Sequence, residues 1–138
     1  MTVSVTHLNF RGDVRAALEF YQSVFGGDLM IITNEDMGIV EDPSEAKQVK
    51  WGQVAAENGF RVMAYDVPAA QSWSAGEIPF FISLRGDTAE EITVLWEKLA
   101  KGSTVVEPPA QWVPLYGMLK DSFGITWVVD VVSPHAAS

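Results

Sequence analysis

The tripeptide Arg-Gly-Asp stands twice in this chain, at Arg11-Gly12-Asp13 and, 74 residues later, at Arg85-Gly86-Asp87. Each copy follows an extended apolar run and precedes a stretch with helical apolar spacing. The correspondence continues beyond the tripeptide: Phe10 answers to Leu84, Leu18 to Ile92, Tyr21 to Leu95 or Trp96, and Gly27 to Gly102. Such a repeat in a chain of 138 residues implies two similar halves. A pseudo-symmetric body of that kind offers the groove its halves share as the natural binding site. Placed at strand-to-helix turns rather than on a loop tip, the tripeptide does not read as an adhesion signal.

The spacing predicts a strand over 3–10 and a helix over 13–25. Asp13 is placed to cap the helix, Ala17, Leu18, Tyr21, Val24 and Phe25 form its apolar stripe, and Gly26-Gly27 end it. A short strand at 29–33 leads into an irregular loop over 34–48, with a turn of helix after Pro43. Strands over 49–57 and 60–66 meet at the tight turn Asn58-Gly59. Residues 67–77 connect the halves. The order then repeats: a strand over 78–84, a helix over 88–100 with a Thr88/Glu91 capping box, and strands near 103–107, 113–120 and 124–132. The fold class is therefore α+β, two tandem βαβββ modules (about 3–66 and 78–132) in a single domain spanning 1–138.

Composition narrows the functional classes. The chain is 48% hydrophobic, enough for a packed core, and one of this size buries roughly two-thirds of its unfolded surface. It has no cysteine, so disulfides, thiolate metal sites and thiol nucleophiles are excluded. A net charge of −9 argues against nucleic acid as a partner, because phosphate binding needs clustered Lys and Arg. Glu35, Asp36, Glu41, Asp42 and Glu45 concentrate acid in one loop, without the regular spacing of a calcium site. Neither a signal peptide nor a membrane span is expected, and the expected location is the cytoplasm.

In the later strands the repeat register falls to 64 or 65, the first half carrying a longer loop. Trp51-Gly52-Gln53 answers to Tyr116-Gly117-Met118, and Val62-Met63-Ala64-Tyr65-Asp66 to Thr126-Trp127-Val128-Val129-Asp130. Strand alternation on that alignment puts Met63, Tyr65, Trp127 and Val129 under the helices, and Val62, Ala64, Thr126 and Val128 in the groove.

These residues resemble the glyoxalase/bleomycin-resistance superfamily, the vicinal oxygen chelate proteins, and within it the PhnB-like branch. The resemblance is carried by Leu8-Asn9-Phe10-Arg11-Gly12-Asp13, by Ala17-Leu18-Glu19-Phe20-Tyr21 running to Phe25-Gly26-Gly27, by Val62 to Asp66, and by Tyr116-Gly117-Met118 through Asp121 to Trp127. It covers roughly residues 3–132. It implies two βαβββ modules forming a U-shaped mixed sheet about a cleft, in a homodimer. Some relatives carry the name of ubiquinone methyltransferases, which is set aside here because no Gly-rich nucleotide loop follows a strand.

Metal enzymes of the superfamily place ligands at four inward positions. By resemblance these fall on Thr6, on Ala64 or its neighbour Met63, on Phe80, and on Val128; a further family histidine falls on Trp51. None offers the directed lone pairs a divalent ion needs. The expectation is no metal, no cofactor and no identifiable catalytic residue. His7 is expected to point away from the groove, Asp130 and Asp66 to occupy equivalent strand ends, and His135 to sit in a tail. Trp51, Gln53, Phe80, Tyr116, Met118 and Val128 instead form an apolar, aromatic wall suited to a small molecule. Trp73 and Trp112 lie on loops, as lids or as core anchors. Three readings remain open: a metal-free binder of small aromatic or amphipathic molecules; an enzyme of this fold using Asp130, Tyr116 or bound water; and a dimeric protein with a vestigial cleft.

Overall fold

The structure, a computed structural model, describes residues 2–38, 42–109 and 116–132. Trp112, His135 and the beginning of the strand expected over 113–120 lie outside them. The chain divides between Ala75 and Gly76 into two compact units, and the fold is α+β with a βαβββ module in each.

The first unit holds β1 (Thr6–Phe10), α1 (Val14–Phe25), β2 (Asp28–Thr33), β3 (Val49–Ala55) and β4 (Arg61–Asp66), with a 3-10 turn at Pro43–Glu45 in the acidic loop. Its sheet runs β1-β4-β3-β2, with β1 and β4 parallel and the other pairs antiparallel. The helix buries Val14, Ala17, Leu18, Tyr21, Val24 and Phe25, the stripe its spacing predicts with one residue added at the start. Leu8, Phe10, Val54, Val62 and Ala64 complete this core.

Asp13 stands at the N-cap of α1 but makes no side-chain capping bond. Asp66, at the end of β4, does that work. One of its carboxylate oxygens accepts from the backbone N–H of Gly12 at 2.6 Å and of Val14 at 3.4 Å, the other from Val49 N–H at 2.9 Å. A carboxylate at a helix N-terminus meets free N–H groups and the positive end of the helix dipole. Buried there, Asp66 ties helix, loop and two strands together. Arg11 fastens the connector to this unit: Nε donates to the Val67 carbonyl at 3.3 Å, Nη2 to those of Pro68 and Gln71, and the guanidinium lies 5.6 Å from the centre of the Trp73 ring.

The second unit holds β5 (Ile82–Gly86), α2 (Ala89–Leu99), β6 (Thr104–Glu107), β7 (Tyr116–Lys120) and β8 (Thr126–Val131), in the sheet order β5-β8-β7-β6. At α2 the Thr88 half of the expected capping box forms, while Glu91 accepts from the residue before the N-cap rather than from the N-cap itself. Glu91 N–H donates to Thr88 Oγ1 at 3.2 Å, while the Glu91 carboxylate reaches back to Asp87 N–H at 3.3 Å. Strand β5 lies later than the 78–84 expected. Its partner β8 begins at Thr126, just after the 121–124 turn, so the ladder between the two strands starts at Ile82.

That displacement separates the two Arg-Gly-Asp copies. Arg11-Gly12-Asp13 forms the turn from β1 to α1, with Gly12 at φ +99°, whereas Arg85 and Gly86 lie inside β5. The strand pairing matches Leu8 with Leu84, since each opposes the residue that faces a central glycine: Ala64 opposite Gly52 and Val129 opposite Gly117. The shared letters therefore mark similar but not equivalent places.

Candidate functional site

Directly opposed residues of neighbouring strands share a sheet face, so one contact with the helix orients a whole module. A Cβ on Gly52 would lie 2.6 Å from Leu18 Cδ1 of α1. Gly52 faces the helix, therefore, and so do its partners Ala64 and Ile31, and Leu8 beyond Ala64. The residues between them face away. This reverses the expectation for β4: Val62 and Ala64 are buried under α1, and Met63 and Tyr65 lie on the open face. Ala64, one of the positions carried over as a metal ligand, points into the core.

His7 moves with them. It is paired with Met63, and Asn9 with Tyr65, so both β1 side chains lie on the open face rather than away from it. Across the four strands one row reads His7, Met63, Gln53, Met30. The next joins Asn9 and Tyr65 on one side to Trp51 and Ile32 on the other. Trp51, Gln53, Met63, Tyr65 and Ile32 are half-buried; His7, Asn9 and Met30 are exposed. His7 Nδ1 lies 3.1 Å from Asn9 Oδ1, and the imidazole meets the Tyr65 ring edge-on with centroids 5.4 Å apart.

In the second unit a Cβ on Gly117 would lie 3.0 Å from the Trp96 ring of α2, and one on Gly86 2.7 Å from Ile92. Gly117, Val129, Leu119, Trp127 and Gly86 thus face the helix. Here the expected orientation of Trp127, Val129 and Val128 holds. Tyr116, Met118 and Val128 lie on the open face, Met118 directly opposite Val128, all three half-buried. Ser83, Arg85 and Asp130 share it. Arg85 Nε donates to Asp130 Oδ1 at 3.1 Å, a charge-assisted hydrogen bond between neighbouring strands on this face. Asp66 and Asp130 are not equivalent: the first is buried on the helix face, the second half-buried on the open one.

Of the residues singled out from sequence, Trp51 and Gln53 come together on the first module's open face, and Tyr116, Met118 and Val128 on the second's. Phe80 lies in the stretch before β5, outside regular structure and 47% exposed. His7, Met63 and Tyr65 were expected to face away from the groove, and Asn9 was not singled out. The signal for them was the constant spacing of 65 between Gly52 and Gly117. It recurs in the two β-turns, where Gly59 N–H bonds to the Ala56 carbonyl as Gly124 N–H does to that of Asp121.

The divalent ion that the resemblance brings with it needs three or four directed donors. The first module's open face offers one imidazole, two amides, a phenol and an indole. The second offers the Asp130 carboxylate, one oxygen of which meets Arg85, with the Tyr116 phenol and the Ser83 hydroxyl. Among the described residues no three His, Asp or Glu side chains gather closely enough to share an ion. The donors on the described faces do not make up such a ligand set.

Two βαβββ modules with these pairings define a glyoxalase-type fold. The chain belongs to the glyoxalase/bleomycin resistance protein/dioxygenase superfamily, whose sequence profile matches residues 4–129. Among solved structures it is similar to protein PA1353 from Pseudomonas aeruginosa, at 28% identity and a TM-score of 0.78, over 95% of this chain and 98% of that one. The PhnB protein from Bacillus cereus shares the fold at 20% identity and a TM-score of 0.71, over 95% and 100% of the two chains. So does the fosfomycin resistance protein FosX from Mesorhizobium loti, at 11% identity and 0.65, over 99% and 96%. No curated protein matches the chain. No helix among the described residues is long and apolar enough to cross a membrane.

Proposed function

We propose that this chain is a metal-independent member of its superfamily that binds a small aromatic or amphipathic molecule against its open sheet faces. The observation that carries the reading is the make-up of those faces. Half-buried Trp51, Tyr65 and Met63 in the first module, and Tyr116, Met118 and Val128 in the second, expose ring and thioether surface where a family metal enzyme needs ligands. Aromatic contacts of this kind contribute roughly 0.5–1.5 kcal/mol each beyond burial, and methionine adapts its shape to the guest. The few polar groups, Gln53 above all, fix orientation rather than supply binding energy.

The test combines metal analysis of the purified protein with calorimetric titration of planar aromatic compounds. Substoichiometric metal, saturable binding of at least one compound, and a loss of about tenfold or more in affinity on Trp51→Ala or Tyr116→Ala are expected. Stoichiometric tightly held zinc, nickel or iron, or no binding by any compound, overturns the reading.

A further inference from the structure

We propose that His7 and Asn9 form a hydrogen-bond acceptor element that selects, among aromatic ligands, those bearing a hydroxyl group. This rests on the binding function proposed above and names the class of molecule bound. The argument begins at Asn9 Oδ1, 3.1 Å from His7 Nδ1. A carbonyl oxygen only accepts, so Nδ1 carries the proton in this bond, and in the uncharged ring Nε2 is left with its lone pair.

Asn9 thus fixes both the tautomer and the direction of the ring. Tyr65, packed edge-on against the imidazole, restrains its tilt. The paired register sets the element next to an apolar platform: Met63 lies opposite His7, and Gln53 opposite Met63. A planar molecule resting on Met63 and the rings beside it presents its edge to Nε2. An edge bearing O–H satisfies that acceptor; an edge bearing an ether oxygen sets one lone pair against another and strips Nε2 of water without replacing it.

The experiment compares 2-naphthol with 2-methoxynaphthalene, which differ by the hydroxyl proton and a methyl group, binding each to the full chain by calorimetry. The imidazole nitrogen resonances are followed in parallel. The chain has two histidines, and the signals that vanish in His7→Phe identify those of His7.

The naphthol is expected to bind about tenfold tighter than its ether to the unaltered protein, the scale of one retained hydrogen bond, and to shift the Nε2 signal of His7. His7→Phe is expected to remove the preference, in part by relieving the ether of its opposition to the Nε2 lone pair, and retained saturable binding of both compounds shows that the variant is folded. Asn9→Ala, which frees the ring to turn, is expected to reduce the preference without abolishing it. Equal affinities in the unaltered protein, or a preference that survives His7→Phe, overturn this inference and leave the binding function standing. No binding by either compound or by any other planar aromatic overturns both.

Discussion

Two buried carboxylates do much of the local organising. Asp66 receives N–H groups from a turn, a helix start and a strand. Asp121 receives those of Phe123 and Ile125 and the indole Nε1–H of Trp127, all at about 3 Å. A carboxylate accepts several such bonds at once, whereas an amide turns a donor toward one of the donors it should receive. Asp66→Asn is therefore expected to destabilise the protein by roughly 1–3 kcal/mol, measured by urea unfolding, while the same change at exposed Asp28 leaves stability unaltered. The exposed acids of the 34–48 loop behave differently. Asp36 is held below its ordinary value of 3.8 by the backbone and side-chain hydrogen bonds of Thr33, and Asp42 by those of Ser44. A depressed carboxylate contributes its stabilisation above the unfolded value and loses it as pH falls through the folded one. Both are expected to titrate below 3.8 in carboxyl-detected NMR, and the loop's turn bonds to loosen only in that acid range. Titration at or above the ordinary value contradicts the bonding described.

At the scale of elements, the end of α1 is the most constrained junction. Gly27 sits at φ +91°, and a Cβ there would fall 2.3 Å from the Ala55 carbonyl oxygen. Gly102, its sequence counterpart after α2, has φ +74° with open space around it. Gly27→Ala is expected to cost upwards of about 2 kcal/mol and Gly102→Ala about 1 kcal/mol, since only the first adds a backbone collision to conformational strain. Denaturant midpoints of the two variants separate them; equal shifts would mean that β3 moves aside freely. The existence and order of these elements were legible in the repeat, the helix stripes and the glycine stops. The facing of β4 was not. Val62 through Tyr65 are apolar or aromatic on both sides, so alternation carried no sign of which side is buried. Aligning Asp66 with Asp130 slipped the register by one, and in a strand one residue exchanges the faces. That slip hid His7, Met63 and Tyr65 from the candidate site.

Over the whole molecule, the two modules share a plan but not a core. In the first, α1 buries six side chains against the sheet and Asp66 anchors its start. In the second, α2 buries Ile92 and Leu99, leaves Val94 half exposed, and covers Val129 with help from Leu84, Trp96 and Val131. Strand β6 is exposed along its whole length. Local stability follows buried apolar contact, because each amide exchanges through the cheapest opening that frees it. Native-state hydrogen exchange on the intact chain is therefore expected to find the slowest amides in α1, β3 and β4. Those of α2 and β6 should exchange faster by a factor of about ten or more, the equivalent of roughly 1.4 kcal/mol or more in opening free energy. Small-molecule binding supplies the discriminating step. A ligand seated on the first module's open face slows exchange in β1, β3 and β4 by up to a factor of one plus the ratio of free ligand concentration to Kd, and a ligand seated on the second module's face does so in β7 and β8. Uniform protection across both modules before ligand is added contradicts the unequal cores, and a ligand that slows only α2 contradicts the face assigned to it.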